Sequence, residues 1–336
     1  MWNLTIRKIQ SETEDTKSLW LHPDRPLPFR AGQFLILQRE GQRRSYSISS
    51  RPTDPLIRIT VKRIDNGLFS RYLFDEAKPG DVLACTGSSG MFVLPENVDS
   101  ISQYFFLAAG SGITPCRPMI EELLEQDPQA KVVLIYSNRS EVNAIFREEL
   151  LTLQKKHAAR FTLEWLYSSN KNLLRARLSK WLLSELVKQH VANTLNTLFY
   201  ICGPYDYMLT AEIGLITEGI PAKNIHRETF LAPELENPQP PPDQRVHQVV
   251  IRYRNQRFQI TTQYPTSILK AARRQGIDLP YSCEAGQCSS CAATCVKGRV
   301  WMSRNEVLSE SEVAASRVLT CTGFPVGGDV EIAIIS

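Results

Sequence analysis

Leu279-Pro280-Tyr281-Ser282-Cys283-Glu284-Ala285-Gly286-Gln287-Cys288-Ser289-Ser290-Cys291 carries three cysteines in a C-x4-C-x2-C pattern, and a fourth stands far downstream in Val318-Leu319-Thr320-Cys321. By this spacing four thiolates enclose a 2Fe–2S cluster: a tight loop supplies three ligands and a distant residue closes the set. The small residues Ala285, Gly286, Ser289 and Ser290 let backbone N–H groups approach the sulfur atoms, which favours the extra negative charge of the reduced state. Scattering eight cysteines at random gives such a triplet in roughly three chains per thousand, so inert buried thiols are the weaker reading. Zinc prefers paired C-x2-C knuckles. A 4Fe–4S site using Cys288, Cys291 and Cys295 lacks the leading C-x2-C and trailing proline. Cys283, Cys288, Cys291 and Cys321 are therefore the expected ligands. Cys295 is expected to pack, and Cys85 and Cys116 are read as structural.

Upstream of the triplet, Ser267 is placed to cap a helix that runs to Gln275 and stops at Gly276. Before it, Val249–Tyr253 and Phe258–Thr262 alternate apolar and polar around Asn255–Gln256, the pattern of a hairpin. These elements make residues 246–336 one small β-rich domain. Five prolines (Pro233, Pro238, Pro240, Pro241, Pro242) fall within 232–245, which favours an extended, semi-rigid linker.

Residues 1–98 read as short strands, Leu4–Ile9, Ser18–Leu21, Gln33–Leu37, Ser45–Ser49, Ile57–Arg63 and Val82–Thr86, with one short helix at Leu68–Ala77. Regular spacing of such strands predicts an antiparallel barrel or sandwich. Residues 99–231 alternate instead. Strands at Tyr104–Ala109, Lys131–Tyr136, Phe161–Tyr167, Leu198–Ile201 and Ile225–Phe230 are interleaved with helices at Cys116–Gln126, Val142–Lys156, Arg177–Gln189 and Tyr205–Glu218. This is the signature of a doubly wound parallel sheet. Three domains are expected: 1–98, 99–231 and, after the linker, 246–336.

The chain has 336 residues, 43% hydrophobic and 22% charged, with a net charge of +4. Nothing there calls for nucleic acid or an anionic membrane as partner, and no run of lysine and arginine is present. Met1–Thr16 lacks the apolar stretch of a signal peptide, so the cytoplasm is the expected compartment. Thiols are kept reduced there, and five of the eight cysteines lie beyond residue 280, which argues for metal rather than disulfides.

Two loops of the second domain suit a dinucleotide. The buried run Phe105–Ala109 leads into Gly110-Ser111-Gly112-Ile113-Thr114-Pro115, where glycines let backbone approach a pyrophosphate at a helix start. Proline replaces the last glycine of the usual fingerprint, and a plain strand–helix turn is the competing reading. Cys202-Gly203-Pro204 ends a later strand and should face the same crevice. In the first domain, Arg44-Ser45-Tyr46-Ser47 offers a guanidinium, an aromatic face and hydroxyls, and Gly67-Leu68-Phe69-Ser70 opens a helix.

The order Arg-x-Tyr-Ser, Gly-x-x-Ser, Gly-x-Gly-x-x-Pro and Cys-Gly-Pro resembles the ferredoxin–NADP⁺ reductase superfamily. With the C-terminal plant-type ferredoxin pattern, the chain is similar over essentially its whole length to oxygenase reductases of the phenylacetyl-CoA epoxidase type. Asn138-Arg139-Ser140 and Ile145-Phe146-Arg147 extend the likeness. The resemblance implies a flavin domain in which Arg44 binds flavin phosphate, Tyr46 packs on the flavin and Ser47 lies at its N5 edge. Val61 and Lys62 would line the cofactor, and Gly67 and Ser70 would hold the FAD pyrophosphate. It implies that Gly110, Gly112, Thr114 and Pro115, with Asn138, Arg139, Cys202, Gly203 and Pro204, bind NAD(P)H. Cys202 would stand near the hydride path, and Glu228-Thr229-Phe230 resembles the family's terminal Glu-x-aromatic, with Phe230 as the ring over the flavin. Ser47, Cys202 and Glu228 are thus the implied catalytic residues. The chain departs from the pattern at Asn66, at Ser88-Ser89-Gly90 and at Glu284, where arginine is frequent.

The implied activity is transfer of electrons from NAD(P)H to FAD, to the 2Fe–2S cluster, and on to a terminal oxygenase or other redox protein. A hydride carries two electrons, the cluster accepts one, and a flavin can mediate between them. The alternatives are an FMN-using reductase of the phthalate dioxygenase type, a hybrid-cluster-protein reductase, and a non-catalytic electron-transfer subunit. For the last, the long gap to Cys321 is the wrong pattern. Arg139, helped by Ser168 and Arg177, could receive a 2′-phosphate and favour NADPH, or be a solvated loop residue.

Overall fold

The computed structural model describes residues 1–65, 67–95, 101–230 and 239–334. Asn66, the expected boundary at 98/99 and the 232–238 part of the linker lie outside these. The chain divides into two compact units, Met1–Glu228 and Thr229–Ser336.

The first unit begins with strands β1 (Trp2–Thr13), β2 (Thr16–Pro23), β3 (Phe34–Arg39), β4 (Gln42–Ser47), β5 (Ile57–Lys62) and β6 (Val82–Ser89). They form an antiparallel sheet in the order β4-β3-β6-β1-β2-β5. A bridge between Ile48 and Ile59 joins its two edges, closing the sheet into a barrel. Alternation makes the core: Leu4 and Ile6, Leu19 and Leu21, Ile59 and Val61 all point inward. Each such side chain contributes about 1.5–3 kcal/mol of burial. Helix α1 (Leu68–Arg71) is one turn only and passes into a π-helical turn at Tyr72–Glu76, where the sequence suggests one helix.

Next come β7 (Gln103–Ala109), α2 (Ile113–Gln126), β8 (Lys131–Asn138), α3 (Arg147–Lys156), β9 (Phe161–Tyr167), α4 (Lys180–His190), β10 (Thr197–Cys202), α5 (Tyr205–Thr217) and β11 (Ile225–Glu228). The five strands are parallel, in the order β11-β10-β7-β8-β9. Neighbouring residues on β7 feed opposite faces, Phe106 into one core and Phe105 into the other, so the sheet is covered on both sides. The expected helix over Val142–Lys156 starts only at Arg147. Ala144, Ile145 and Phe146 are all buried, which one helical face cannot do for three successive residues, and Phe146 takes a left-handed φ of 60°.

The second unit contains β12 (His247–Tyr253), β13 (Gln256–Thr262), α6 (Ile268–Arg274), β14 (Ala292–Lys297), β15 (Val300–Met302), α7 (Glu310–Ala314), β16 (Arg317–Leu319), β17 (Gly323–Pro325) and β18 (Val330–Ala333). Its main sheet runs β13-β12-β18-β14-β16, with β12 and β18 parallel at the centre, and β15 pairs with β17 apart from it. α6 packs on this sheet in a β-grasp arrangement. Ser267 caps α6 by accepting from the Lys270 N–H. The hairpin turn falls at Arg254–Asn255, both left-handed, one residue earlier than the sequence suggests.

Candidate functional site

The parallel sheet reverses its winding between β7 and β10, and the loops following these strands meet there. Such a switch point is where open α/β sheets take up ligands. A Cβ on Gly112 would lie 2.1 Å from the Cys202 carbonyl oxygen, and one on Gly203 2.9 Å from Ala109 Cβ. Only glycine lets these two loops touch. Gly110 has a φ of +52° and open space where a Cβ would point, which leaves its backbone free to approach a pyrophosphate. Thr114 and Pro115 are buried in the first turn of α2, where the Thr114 hydroxyl donates to the Ser111 carbonyl. The Tyr136 hydroxyl donates to the Gly110 carbonyl at 3.0 Å and so props the loop from below. At the end of β8, Asn138 is buried with its Nδ2 unpartnered, and Arg139 is exposed beside Ser168 and Ser169. A cradle open at Gly110 and a free buried donor at Asn138 fit a dinucleotide.

Cys202 and Glu228 are neighbours across the β10–β11 ladder, and both are buried. Burial pushes the Glu228 carboxyl up to about 8. Burial, with Cys116 and Glu228 close by, holds the Cys202 thiol well above its ordinary range. Both shifts favour the protonated, uncharged forms. Pro204 caps α5. Phe230 lies past the division of the chain and belongs to the second unit.

On the barrel, Arg44 and Tyr46 share one face of β4, opposite Leu37 and Leu35 of β3. Arg44 is exposed and forms no ion pair among the described residues, its guanidinium donating to the Arg43 carbonyl. The Tyr46 ring lies 5.8 Å from that of Phe69, which brings the Arg-x-Tyr-Ser strand to the Gly-x-x-Ser turn. Ser70 Oγ donates to the Gly67 carbonyl and accepts from the Ile64 N–H. Because α1 is a single turn, its macrodipole is small, and backbone N–H groups are what it can offer a phosphate. Ser47 is buried at the end of β4. Val61 sits wholly in the barrel core and is fully buried, whereas the exposed Lys62 pairs with Asp15. An exposed unpaired guanidinium, an aromatic face and the phosphate-sized turn fit a flavin nucleotide.

Sequence reasoning missed a half-buried charge cluster where the barrel meets the α/β domain. Arg117 of α2 donates to the Ser49 carbonyl at 2.7 Å and pairs with Glu121 and Glu149. Arg58 of β5 binds Glu149 through two hydrogen bonds, at 2.9 and 3.1 Å. Burial would raise the Glu149 carboxyl, but the two guanidiniums outweigh it and keep the group ionised. The one signal available was an arginine two residues past Pro115, on a helix otherwise apolar at its start.

In the second unit the four expected ligands come together as two pairs. The Cys283 N–H donates to Cys288 Sγ at 3.4 Å, and Cys291 and Cys321 interact thiol to thiol. The N–H groups of Ala285 and Gln287 donate to Cys283 Sγ, which with the Cys288 thiol brings the Cys283 thiol down to about 6. Glu284 and Ser289 are left-handed, and Gly286 must be glycine because a Cβ would meet the Arg304 carbonyl at 2.7 Å. Among the described residues no three His, Cys, Asp or Glu side chains form a single-ion site. Two thiol pairs with N–H donors aimed at sulfur fit a two-iron cluster, in which each iron takes two thiolates. Cys295 points elsewhere, its thiol donating to the carbonyls of Lys297 and Gly298.

Comparison with known proteins agrees with this division. Residues 3–94 match the oxidoreductase FAD-binding domain family, residues 106–212 the oxidoreductase NAD-binding domain family, and residues 252–326 the 2Fe–2S iron–sulfur cluster binding domain family. The chain is 34% identical to a subunit of the 1,2-phenylacetyl-CoA epoxidase of Escherichia coli K12, covering 98% of this chain and 96% of that one. It is 31% identical to the ferredoxin reductase component of 3-ketosteroid-9-alpha-monooxygenase from Rhodococcus rhodochrous, over 98% and 95% of the two chains. Among solved structures, phthalate dioxygenase reductase shares the fold with a TM-score of 0.63 at 22% identity, over 99% of this chain and 97% of that chain. No described helix is long and apolar enough to cross a membrane.

Proposed function

This chain belongs to the ferredoxin–NADP⁺ reductase superfamily, in the branch that carries a C-terminal 2Fe–2S ferredoxin domain, and from that membership we propose that it is the reductase component of an oxygenase. Bound NAD(P)H, FAD and a 2Fe–2S cluster would together supply hydride uptake and single-electron delivery to a separate terminal oxygenase in the cytoplasm. Arg44 and the Gly67–Ser70 turn would hold the flavin phosphates, with Tyr46 and Ser47 to hold its ring system. Gly110, Gly112, Thr114 and Pro115 seat the nicotinamide dinucleotide, with Asn138 and Arg139 at the adenosine end and Cys202, Gly203, Pro204 and Glu228 around the nicotinamide. A neutral Cys202 and a neutral Glu228 present no anion to repel an incoming hydride donor. Cys283, Cys288, Cys291 and Cys321 hold the iron.

The observation that carries this reading is the meeting of the two loops at the switch point of a sheet whose helix α2 also touches Ser49, two residues beyond Ser47. The test is anaerobic mixing of the purified protein with NADH or NADPH while flavin and iron–sulfur absorbance are followed separately. Flavin bleaching followed by cluster reduction is expected. A flavin that stays oxidised with both coenzymes would refute the reading.

A further inference from the structure

We propose that Arg117 is a positioning residue for hydride transfer, fixing the nicotinamide loop against the flavin strand through the carbonyl of Ser49. The proposal rests on the flavin and nicotinamide assignment above and adds to it a residue outside both assigned sets.

Arg117 lies one turn into α2, two residues past Gly110–Pro115, and Ser49 stands two residues past the end of the Arg44–Ser47 strand. The bond between them, 2.7 Å from Nη1 to the carbonyl oxygen, therefore ties the segment after one cofactor loop to the segment after the other. The same oxygen accepts from Arg58 Nη2 at 3.3 Å. The Ser49 N–H in turn donates to the Arg58 carbonyl, so the acceptor is fixed from both sides. Nη2 of Arg117 reaches Glu121 at 2.6 Å and Glu149 at 2.7 Å, while its Nε is buried without a hydrogen-bond partner. The Phe146 ring lies under both guanidiniums, 4.5 Å from Arg58 and 5.3 Å from Arg117. Burial, then the neighbouring Arg58, makes the charge on Arg117 costly, and Glu121 and Glu149 offset part of that cost.

A cluster of this kind adds little net stability, because replacing buried ion pairs with apolar side chains is often neutral. What it sets is geometry. Polar interfaces between domains permit relative motion by default, and a displacement of about 1 Å in a reacting pair can cost up to about a hundredfold in rate. Only a planar fork holds Ser49, Glu121 and Glu149 together, which a lysine cannot do. Removing the Arg117 side-chain charge still leaves Glu149 paired with Arg58, and Glu121 within 4.0 Å of Arg51, so no buried carboxylate is stranded.

The test uses the full-length holoprotein, mixed anaerobically with saturating NADH or NADPH. The readouts are the limiting rate of flavin reduction, the coenzyme Kd and the long-wavelength charge-transfer absorbance of nicotinamide over flavin. Arg117→Met is expected to lower the limiting rate about tenfold and weaken the charge-transfer band. Coenzyme Kd should stay within about twofold, and flavin and iron contents should not change. Arg117→Lys should recover part of the rate. Arg51→Met, which cuts the contacts to Asp54, Glu121 and Glu125 but removes no hydrogen bond to Ser49, should keep the wild-type limiting rate and charge-transfer band. Wild-type rates and absorbance in both Arg117 variants would overturn the proposal, as would a change confined to Kd. If the methionine variant loses flavin, the lysine variant decides by the same readouts. A wild-type flavin reduced by neither coenzyme would overturn the functional reading itself.

Discussion

Cys202 and Glu228 stand side by side as register partners at the carboxyl ends of β10 and β11, with both side chains shut away from water. The carboxyl has no ion-pair partner among the described residues, and burial carries it up to about 8. A carboxylic acid that holds its proton more tightly in the folded state than in the unfolded chain favours folding most at low pH. That contribution is complete below the unfolded value and is lost as pH rises toward the folded one. Stability of the first unit should therefore fall between about pH 4.5 and pH 8, by at most about 1.4 kcal/mol per pH unit for one proton. Glu228→Gln keeps the shape without the titration. Urea unfolding at several pH values should show the wild-type curve falling relative to the glutamine variant, and parallel curves would refute the assignment.

Contact between the two nucleotide loops depends on a single missing methyl group. Gly112→Ala places a Cβ against the Cys202 carbonyl at 2.1 Å, a backbone atom that cannot swing aside. The loops must part, at about 1–3 kcal/mol in stability, and coenzyme-driven flavin reduction should fall at least tenfold. Gly110→Ala meets no neighbour in the fold; it takes a left-handed backbone, at a cost of about 1–2 kcal/mol, and sets a methyl where the pyrophosphate is proposed to approach, so it should weaken coenzyme binding without parting the loops. Rapid-mixing kinetics of the two variants should separate them clearly. Equal losses would mean that the Gly112–Cys202 contact has no special role.

How legible these features were in the sequence follows from how local their causes are. The apolar run Phe105–Ala109 and the glycines after it announce a buried strand and its turn within ten residues. The thiol spacing is equally local for Cys283, Cys288 and Cys291. Helix α3 starts later than its pattern suggests because burial of Ala144, Ile145 and Phe146 is a tertiary demand that overrides a good helical pattern. The Arg58–Glu149 and Arg117–Ser49 contacts join residues 91 and 68 positions apart, and nothing in either neighbourhood forecasts the partner.

Coenzyme choice turns on the end of β8. Arg139 is exposed there, its carbonyl accepting from the Ser169 N–H, with Ser168 alongside and no carboxylate paired to its guanidinium among the described residues. A free cation at this position suits a 2′-phosphate. Arg139→Ala should raise the KM for NADPH about tenfold and leave that for NADH within about twofold. Steady-state kinetics with both coenzymes decide the matter. A strong NADH preference unchanged by the substitution would end the idea.

The two-by-two arrangement of thiols separates ligands from bystanders. Cys321→Ala removes the partner of Cys291 and should lose the cluster or leave it labile, seen as loss of iron and of the paramagnetic signal after reduction. Cys295→Ala removes a thiol bonded only to the Lys297 and Gly298 carbonyls, so both iron atoms should remain. The reverse result would mean that the ligand set is wrong.

Electron flow can be divided where the chain divides. The flavin and nicotinamide residues proposed here, Arg44 through Glu228, all belong to the first unit, and the four cysteines all belong to the second. Each unit has its own hydrophobic core, Leu4, Leu19 and Phe106 in one, Val249, Ile251 and Ile332 in the other, so each should fold alone. Cutting the chain within 232–245 should then leave an N-terminal fragment that still oxidises NAD(P)H. Ferricyanide, which collects electrons from reduced flavin, should be reduced by this fragment at close to the full-length rate. Cytochrome c, or an oxygenase that accepts electrons from the intact protein, should be reduced at least tenfold more slowly. Cys321→Ala in the full chain should reproduce the same split without touching the first unit, which separates loss of the cluster from loss of the domain. A fragment that reduces the oxygenase at full speed would show that electrons leave from the flavin, and the cluster domain would then serve in docking rather than in transfer.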